Sequence, residues 1–312
     1  MTDHAATAPV LHDDLAAAFQ IEGWPVRGRL VRMGDTINTI LSAHDYPLPV
    51  ARLLGEACAL AALVGSALKF EGRLLVQAQG DGPVRYVLAD YGTDGTMRGF
   101  CRYDEGELTA LCDTKENPGA QDLLGKGVFV MTLDRGPDFE RTQGLTPIEG
   151  DSLSSCAEHY FVQSEQIPTK VNLALGQITT DTGTQYRAGG ALIQVIAADD
   201  ARGSTEEVWE RTRALFATLT DDELVDPTIT PETLLYRLFH EDGVRLEGPT
   251  PLIAQCRCSR DRIVTALQSF PEEDRADMVE DDGKIHANCE YCSTDYLIDP
   301  SEIEVPAQGA MH

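Results

Sequence analysis

The sequence is short of positive charge. Its 312 residues include 25 Lys and Arg against 51 Asp and Glu, which gives a formal net charge of -26 at pH 7. Nucleic acids and anionic membrane surfaces carry charge of the same sign and repel such a chain. We therefore expect neither nucleic acid nor membrane among its partners.

Long hydrophobic runs are also missing. The most apolar stretch, residues 57–68, is too short to span a bilayer and follows the charged residues Arg52 and Glu56. It predicts a buried helix from about Val50 to Phe70. The first residues lack a basic segment followed by an apolar one, so we expect no signal peptide. Without an export signal, clustered cysteines indicate metal or redox chemistry rather than a secreted disulfide framework.

Recognisable catalytic motifs are absent as well. The sequence contains no His/Glu metal motif, no nucleophile elbow around a serine and no dinucleotide-binding loop. Cys156 and His159 are three residues apart on a predicted helix, but no third group to orient them is evident. Cys58 is expected to be a buried residue of the apolar helix, and Cys101 and Cys112 are expected to be structural. We therefore expect the protein not to be an enzyme.

The first two thirds of the sequence mix strand and helix patterns. Leu74 to Gln79 alternates between apolar and polar residues, residues 80–83 supply a turn, and Tyr86 to Asp90 returns. The glycines of this turn do not indicate a phosphate-binding loop, because no Gly-Lys-Ser/Thr follows them. Regular strand-helix-strand repeats are absent, so we expect an α+β core domain over residues 1–198, of which residues 1–10 are disordered. The other predicted elements are strands at Val26–Met33, Val128–Leu133, Val171–Thr179 and Ala191–Ile196, and a helix at Leu153–Val162.

The composition becomes strongly acidic over residues 199–250. Apolar stripes at helical spacing follow three helix starts, so the segment predicts an amphipathic helical linker. Short isolated helices are weakly stable in water, and these helices must therefore pack on a neighbouring surface. The helix starts are the capping boxes Ser204 with Glu207 and Thr220 with Glu223, and the N-cap Thr230 followed by Pro231.

Residues 251–312 contain the pattern with the most specific chemistry. Four of the eight cysteines form two close pairs there, Cys256 with Cys258 and Cys289 with Cys292. A Cys-x-x-Cys can place two sulfurs on one metal ion, and a second close pair can complete a tetrahedral four-thiolate zinc site. A lobe of this size has a marginal hydrophobic core, so we expect one zinc ion to hold it folded.

The closeness of each pair leaves a second possibility open. Either pair can also close on itself as a disulfide, and such short rings are strained. Strained disulfides are commonly labile or regulatory. The two pairs therefore predict either a purely structural zinc knob or a zinc site that also works as a thiol switch.

A series of short blocks accompanies the two cysteine pairs and the later Tyr296. With these blocks in this order, the sequence from about Val26 to Ile298 resembles the redox-regulated chaperones of the heat shock protein 33 family. The blocks are Leu68-Lys69-Phe70-Glu71-Gly72, Gly80-Asp81-Gly82-Pro83, Arg98-Gly99, Gln143-Gly144, Glu149-Gly150-Asp151, Tyr160-Phe161, Ser164-Glu165-Gln166-Ile167-Pro168-Thr169 and Ala188-Gly189-Gly190.

The resemblance implies a cytoplasmic, ATP-independent holdase that binds unfolded or partly folded client proteins under oxidative stress. In the reduced state the four paired cysteines would bind one zinc ion, and the protein would be idle. Oxidation would link Cys256 to Cys258 and Cys289 to Cys292, release zinc, and unfold the lobe and the linker. The family is also associated with a homodimer in the oxidised, active form.

Two functions of other classes remain as alternatives. A zinc-ribbon nucleic-acid-binding module needs a basic patch beside the metal, and the lobe has few basic residues among many acidic ones. A thiol-disulfide oxidoreductase needs a Cys-x-x-Cys at a helix start within a strand-helix-strand context, which the sequence around Cys289 lacks.

Overall fold

The computed structural model describes residues 13–181, 183–196 and 205–303. These residues divide into two compact units, the first ending at Ala254 and the second beginning at Gln255. The expected disorder of residues 1–10 and the Ser204 end of the first capping box lie outside the described residues. The expected domain boundaries, after residues 198 and 250, remain a prediction.

Strands and helices mix irregularly along the chain, which confirms the α+β class. The strands of the first unit are β1 (Leu15–Ile21), β2 (Val26–Met33), β3 (Arg73–Gly80), β4 (Val84–Gly92), β5 (Thr96–Tyr103), β6 (Gly127–Asp134), β7 (Thr142–Pro147), β8 (Thr169–Thr180), β9 (Gly183–Val195), β10 (Val244–Leu246), β11 (Thr250–Pro251) and β12 (Ile253–Ala254). Its helices are α1 (Asp35–Leu41), α2 (Leu48–Gly65), α3 (Glu105–Thr114), α4 (Ala120–Leu124), α5 (Leu153–Tyr160), a π-helix (Phe161–Glu165), α6 (Thr205–Phe216), α7 (Asp221–Val225) and α8 (Pro231–Phe239). The second unit contains α9 (Arg260–Gln268), α10 (Glu272–Asp277), β13 (Ile285–Asn288), β14 (Asp295–Ile298) and a 3-10 helix (Pro300–Ile303).

Two sheets form the first unit. The first sheet has the strand order β10-β1-β2-β9-β8, with β11 also paired to β1. The second sheet has the order β12-β5-β4-β3-β6-β7. Paired strands run antiparallel, except that β12 runs parallel to β5. The segment from Val244 to Ala254 therefore supplies edge strands to both sheets.

Helix α2 contacts strands of both sheets and forms the centre of the core. It is long and apolar enough to cross a membrane by length and composition alone, but 72% of it is buried inside the fold, as expected of a core helix. The helix was expected to reach Phe70 and ends at Gly65. The hydrogen bonds after it shorten to three-residue turns, from Ala67 N–H to the Val64 carbonyl and from Leu68 N–H to the Gly65 carbonyl.

The hairpin and the other strands predicted for the core are confirmed. Across the hairpin turn, Gln79 of β3 lies opposite Tyr86 of β4. The helix predicted at residues 153–162 ends earlier, at Tyr160, and continues as the π-helix. Gln166 ends that helix in the left-handed conformation (φ 56°), and Pro168 cannot continue a helix because it has no N–H to donate.

The linker helices α6, α7 and α8 pack on the face of the first sheet that lies opposite α2. Phe239 of α8 is 1% exposed, and its ring centroid lies 6.0 Å from that of Phe19 on β1. The predicted capping box of Thr220 with Glu223 is present at α7, and Thr230 caps α8. The prediction of a helical linker is therefore confirmed. The buried residues of this interface are Phe19, Ile21, Val26, Leu30, Ala174, Ala191 and Ile193 of the sheet, and Phe216, Leu219, Leu224, Ile229, Leu234, Leu235, Leu238 and Phe239 of the linker.

Two glycines allow α7 to approach the sheet closely. A Cβ atom on Gly189 of β9 would lie 2.5 Å from the carbonyl oxygen of Leu224. A Cβ atom on Gly176 of β8 would lie 2.8 Å from Cγ2 of Val225. Side chains at either sheet position would therefore push α7 away.

Two buried arginines bind the turn that follows α7. Arg32 of β2 is 1% exposed and donates to the carbonyl oxygens of Ile229, at 2.9 Å, and of Asp226. Arg187 of β9 donates to the carbonyl oxygen of Val225 at 2.8 Å. Asp13 forms ion pairs with both guanidinium groups. The sheet thus holds the linker by hydrogen bonds to its backbone as well as by apolar contacts.

Candidate metal centre

Two backbone turns present the four paired cysteines in the second unit. Cys256 and Cys258 lie in the segment between β12 and α9, and the Ser259 side chain caps α9. Cys289 and Cys292 lie in the tight turn between β13 and β14. The Cys289 carbonyl oxygen accepts hydrogen bonds from Cys292 N–H at 3.2 Å and from Ser293 N–H at 2.8 Å.

The four sulfur atoms converge on one point, all lying within 4.8 Å of one another. Sγ of Cys256 lies 3.7 Å from Sγ of Cys289, and Sγ of Cys258 lies 3.4 Å from Sγ of Cys292. Zinc–sulfur bonds of about 2.3 Å in a tetrahedron separate the sulfurs by about 3.8 Å. The sulfur positions therefore fit a four-thiolate zinc site. The single residue between Cys256 and Cys258 leaves both of their sulfurs able to contribute to it.

Hydrogen bonds and burial shift the pKa values of Cys258, Cys289 and Cys292 in different directions. Burial raises the pKa of Cys258 to about 12 and also raises that of Cys289. Burial opposes ionisation of Cys292 as well, but hydrogen bonds from the Thr294 hydroxyl, at 3.2 Å, and from its backbone N–H hold that pKa at about 7. Crowded sulfurs cannot all ionise unless a cation balances their charge, as a bound Zn²⁺ ion does.

Two neighbouring side chains that donate to the sulfurs were not predicted from the cysteine pattern. The Tyr296 hydroxyl donates to Sγ of Cys258 at 3.1 Å, and the bond to Cys258 raises the pKa of Tyr296 to about 12. Thr294 contacts Cys292, as described above. In the sequence, Tyr296 stands out only through the family resemblance, and the single signal for Thr294 is a hydroxyl two residues after Cys292. Both side chains orient the sulfur atoms that they contact.

The second unit has a small apolar core. Only four of its described apolar side chains form a buried cluster, and the Arg260 guanidinium fastens α9 to Glu302 through two hydrogen bonds of 2.9 and 2.7 Å. Such exposed ion pairs contribute little stability. We therefore expect the fold of the lobe to depend on the sulfur cluster. The clustered side chains are Leu267, Ile285, Ile298 and Ile303.

Three further cysteines do not contribute to the cluster. Cys58 and Cys101 are buried in the core, where burial raises the pKa of Cys58 to about 12 and that of Cys101 well above its usual value. Cys112 lies exposed on α3, so the expectation that it has a structural role was wrong, because its side chain is not packed in the core.

Cys156 and His159 do not form a thiol–base pair. The Cys156 thiol donates to the carbonyl oxygen of Glu149 at 3.6 Å, and burial raises its pKa. Nδ1 of His159 lies 3.7 Å from the Glu149 carboxylate instead. The geometry gives this pair no catalytic arrangement.

The two alternative functions find little support in the lobe. Three of its basic side chains are engaged internally: Arg260 binds Glu302, Arg262 donates to the carbonyl oxygen of Arg257 at 2.7 Å, and Arg275 donates to that of Ile303. A nucleic-acid module would need such groups free for phosphates. Cys289 lies in a turn between two strands rather than at a helix start, unlike the reactive cysteine of an oxidoreductase.

Comparisons with known proteins agree over nearly the whole chain. The family model described as "Hsp33 protein" matches residues 14–299. The 33 kDa chaperonin of Caulobacter vibrioides is 62% identical over 300 residues, covering 96% of this chain and 99% of that protein. The 33 kDa chaperonin of Cronobacter sakazakii is 37% identical, covering 94% of both chains. The crystal structure of the 33 kDa chaperonin of Thermotoga maritima has a TM-score of 0.74 at 23% identity, covers 93% of this chain and 96% of that chain, and supports the fold alone.

The cluster generates a prediction about metal content. The reduced protein should contain about one zinc ion per chain, and the double variant Cys289→Ser, Cys292→Ser should contain almost none, because two of four ligands are lost. Elemental analysis after purification under reducing conditions measures this. Cys112→Ser is the matched control, since it removes an exposed thiol outside the cluster, and it should keep the metal. Unchanged zinc in the double variant would contradict the assignment.

Proposed function

Because the chain belongs to the Hsp33 family, we propose that it is a redox-regulated, ATP-independent holdase chaperone whose reduced, zinc-bound form is inactive. The convergence of four cysteine sulfurs within 4.8 Å of one another, in a lobe with a small core, carries this proposal. Such a site can hold a lobe folded when reduced and can lose its ligands when oxidised.

The four thiolates are the groups that respond to oxidant. Two molecules of hydrogen peroxide take four electrons from them and take up four protons, so that two S–S bonds and four water molecules form. The family resemblance implies the pairs Cys256–Cys258 and Cys289–Cys292. Bound Zn²⁺ supplies the positive charge that keeps the sulfurs together, and disulfide sulfurs are too poor as ligands to retain it.

Loss of the metal site removes most of what folds the lobe. Apparent zinc-binding free energies in small zinc peptides are roughly 10–16 kcal/mol. Four buried aliphatic side chains contribute roughly 6–12 kcal/mol, which the conformational entropy lost on folding largely offsets. The connection from the linker to the lobe is short, because only Gln255 separates the end of β12 at Ala254 from Cys256, the first of the four cysteines. We expect the linker to lose its helices when the lobe unfolds.

Release of the linker would uncover a large apolar surface. The outer face of the first sheet and the apolar stripes of α6, α7 and α8 cover each other in the described structure. Once separated, these surfaces can hold unfolded or partly folded client proteins. The net charge of -26 would keep such complexes soluble.

The proposal includes four further statements. The protein acts by binding rather than by catalysis, works in the cytoplasm, and forms a homodimer in its oxidised state. Nucleic acids and membranes are not among its partners. The charge balance and the absence of a catalytic arrangement at Cys156 and His159 support the first and last of these.

A single peroxide titration tests the proposed function. Reduced protein treated with hydrogen peroxide should release about one zinc per chain and suppress aggregation of a thermally unfolded client, with both changes following the same time course. A zinc-sensitive dye and light scattering measure the two together. Dithiothreitol with added zinc should reverse both. Full suppression of aggregation by the reduced, zinc-bound protein would contradict the switch.

A charge placed in the interface between the linker and the first sheet should make the chaperone activity less dependent on oxidant. Phe239→Asp removes a buried ring, which costs roughly 3–5 kcal/mol, and places a carboxylate against Phe19. The reduced variant should therefore suppress aggregation partly without peroxide, and Gly189→Ala should act in the same direction by displacing Leu224. The aggregation assay of the reduced proteins measures this effect.

The matched control lies on the same helix. Tyr236 of α8 is 63% exposed, so Tyr236→Asp adds the same charge on the solvent side and should stay dependent on peroxide. If Phe239→Asp and Gly189→Ala are folded and also remain strictly dependent on peroxide, linker release is not the activating step.

A further inference from the structure

Several sequence blocks of the family resemblance have no part in the cysteine switch and meet at one cavity in the first unit. The cavity has a volume of about 290 Å³ and is lined by strands of both sheets, the end of α2 and the π-helix. The residues from these blocks that line it are Leu68, Gly144, Tyr160, Phe161, Glu165 and Ile167.

The interior of the cavity is apolar. Leu63 and Val64 of α2 form one side, and Leu192 of β9 faces it from the first sheet. Met131 and Leu133 of β6 line it from the second sheet. Gaps of this kind are few in close-packed cores, so an open apolar space between the two sheets suits an apolar guest.

Two arginines of β2 give the cavity a positive edge. Arg29 is half-buried and donates to the Ser66 hydroxyl at 3.2 Å, while Arg27 donates to the side-chain oxygen of Gln194 at 3.2 Å. Within the described part of the chain, neither guanidinium forms an ion pair with a carboxylate. Burial, and then the charge of Arg27, lower the pKa of Arg29, whereas the charges of Tyr91 and Glu247 raise it. Two neighbouring guanidinium groups thus lie at an apolar opening.

The π-helix also lines the cavity. Single π-helical turns are rare and occur frequently at functional sites. Here the turn places both Phe161 and Glu165 on the cavity lining, and Gln166 ends it with a positive φ of 56°. Glu165 is the one acidic residue of the lining, against the two arginines Arg27 and Arg29. The net charge of the lining is therefore positive and favours an anion.

We propose that this cavity binds a small apolar molecule with one carboxylate, such as a medium-chain fatty acid. The chain lies between the sheets, and the carboxylate accepts hydrogen bonds from Arg27 and Arg29, whose planar guanidinium groups match its geometry. A singly charged head is favoured over a phosphate dianion because Glu165 also lines the cavity and would repel a second negative charge. The volume lies at the lower end of the roughly 300–1,000 Å³ typical of ligand pockets, which favours a short chain over a bulky cofactor.

Calorimetric titration of the reduced full-length chain with decanoate, below its micelle concentration, tests the proposal. We expect saturable binding of one decanoate per chain. Decan-1-ol, which has the same chain without the charge, should bind at least tenfold more weakly. The double variant Arg27→Gln, Arg29→Gln should weaken decanoate binding at least tenfold, whereas Arg85→Gln, at an exposed arginine elsewhere on the second sheet, should not.

A second variant tests the location from the apolar side. Val64→Trp fills the cavity and should abolish decanoate binding, provided that its thermal unfolding shows a folded protein. The two arginines lie at the edge, so their variants remain informative if Val64→Trp does not fold. The proposal is overturned by no binding, by many weak sites, by equal binding of decanoate and decan-1-ol, or by full affinity in the double arginine variant.

Discussion

The close approach of four cysteine sulfurs is the constraint on which the second unit depends. Sulfurs within 4.8 Å of one another repel as thiolates unless a cation balances them. The surrounding lobe has four clustered buried side chains and an exposed Arg260–Glu302 ion pair, which give it little independent stability. A change in the chemistry of the sulfurs therefore changes the whole lobe, which is what a switch requires of its bistable element.

The linker is held by different forces. Its helices bury an apolar face, but α7 has five residues and α8 nine, so neither is stable away from the sheet. Arg32 and Arg187 are removed from water to bind linker carbonyl oxygens, and this desolvation offsets part of what the hydrogen bonds contribute. Docking of this kind is specific without being strong. Under the proposed function, a moderate loss of stability in the lobe shifts the equilibrium of the linker toward release.

Local patterns predicted much of this architecture, and tertiary contacts explain the rest. The alternation of β3 and β4 and the N-cap of Thr230 depend on neighbouring residues, and both predictions are confirmed. The cysteine spacing predicts a zinc site, and the convergence of the four sulfurs fits that prediction. Strand β1 was missed because its Ala-rich sequence is buried on both faces and does not alternate. Strands β10 to β12 are too short for a periodic signal and exist through pairing with distant strands. The close approach of α7 to Gly189, the bond from Tyr296 to Cys258 and the cavity beside Arg29 all join residues far apart in sequence.

Hydrogen exchange measured before and after zinc removal tests the coupling of lobe and linker most directly. A chelator applied to the reduced protein removes the metal without forming disulfides, so the effect of the lobe is separated from that of oxidation. The account predicts that amide protection falls in residues 255–303 and also in α6, α7 and α8, while α2 and the second sheet stay protected. Loss of protection confined to residues 255–303, with the linker helices unchanged, would contradict it.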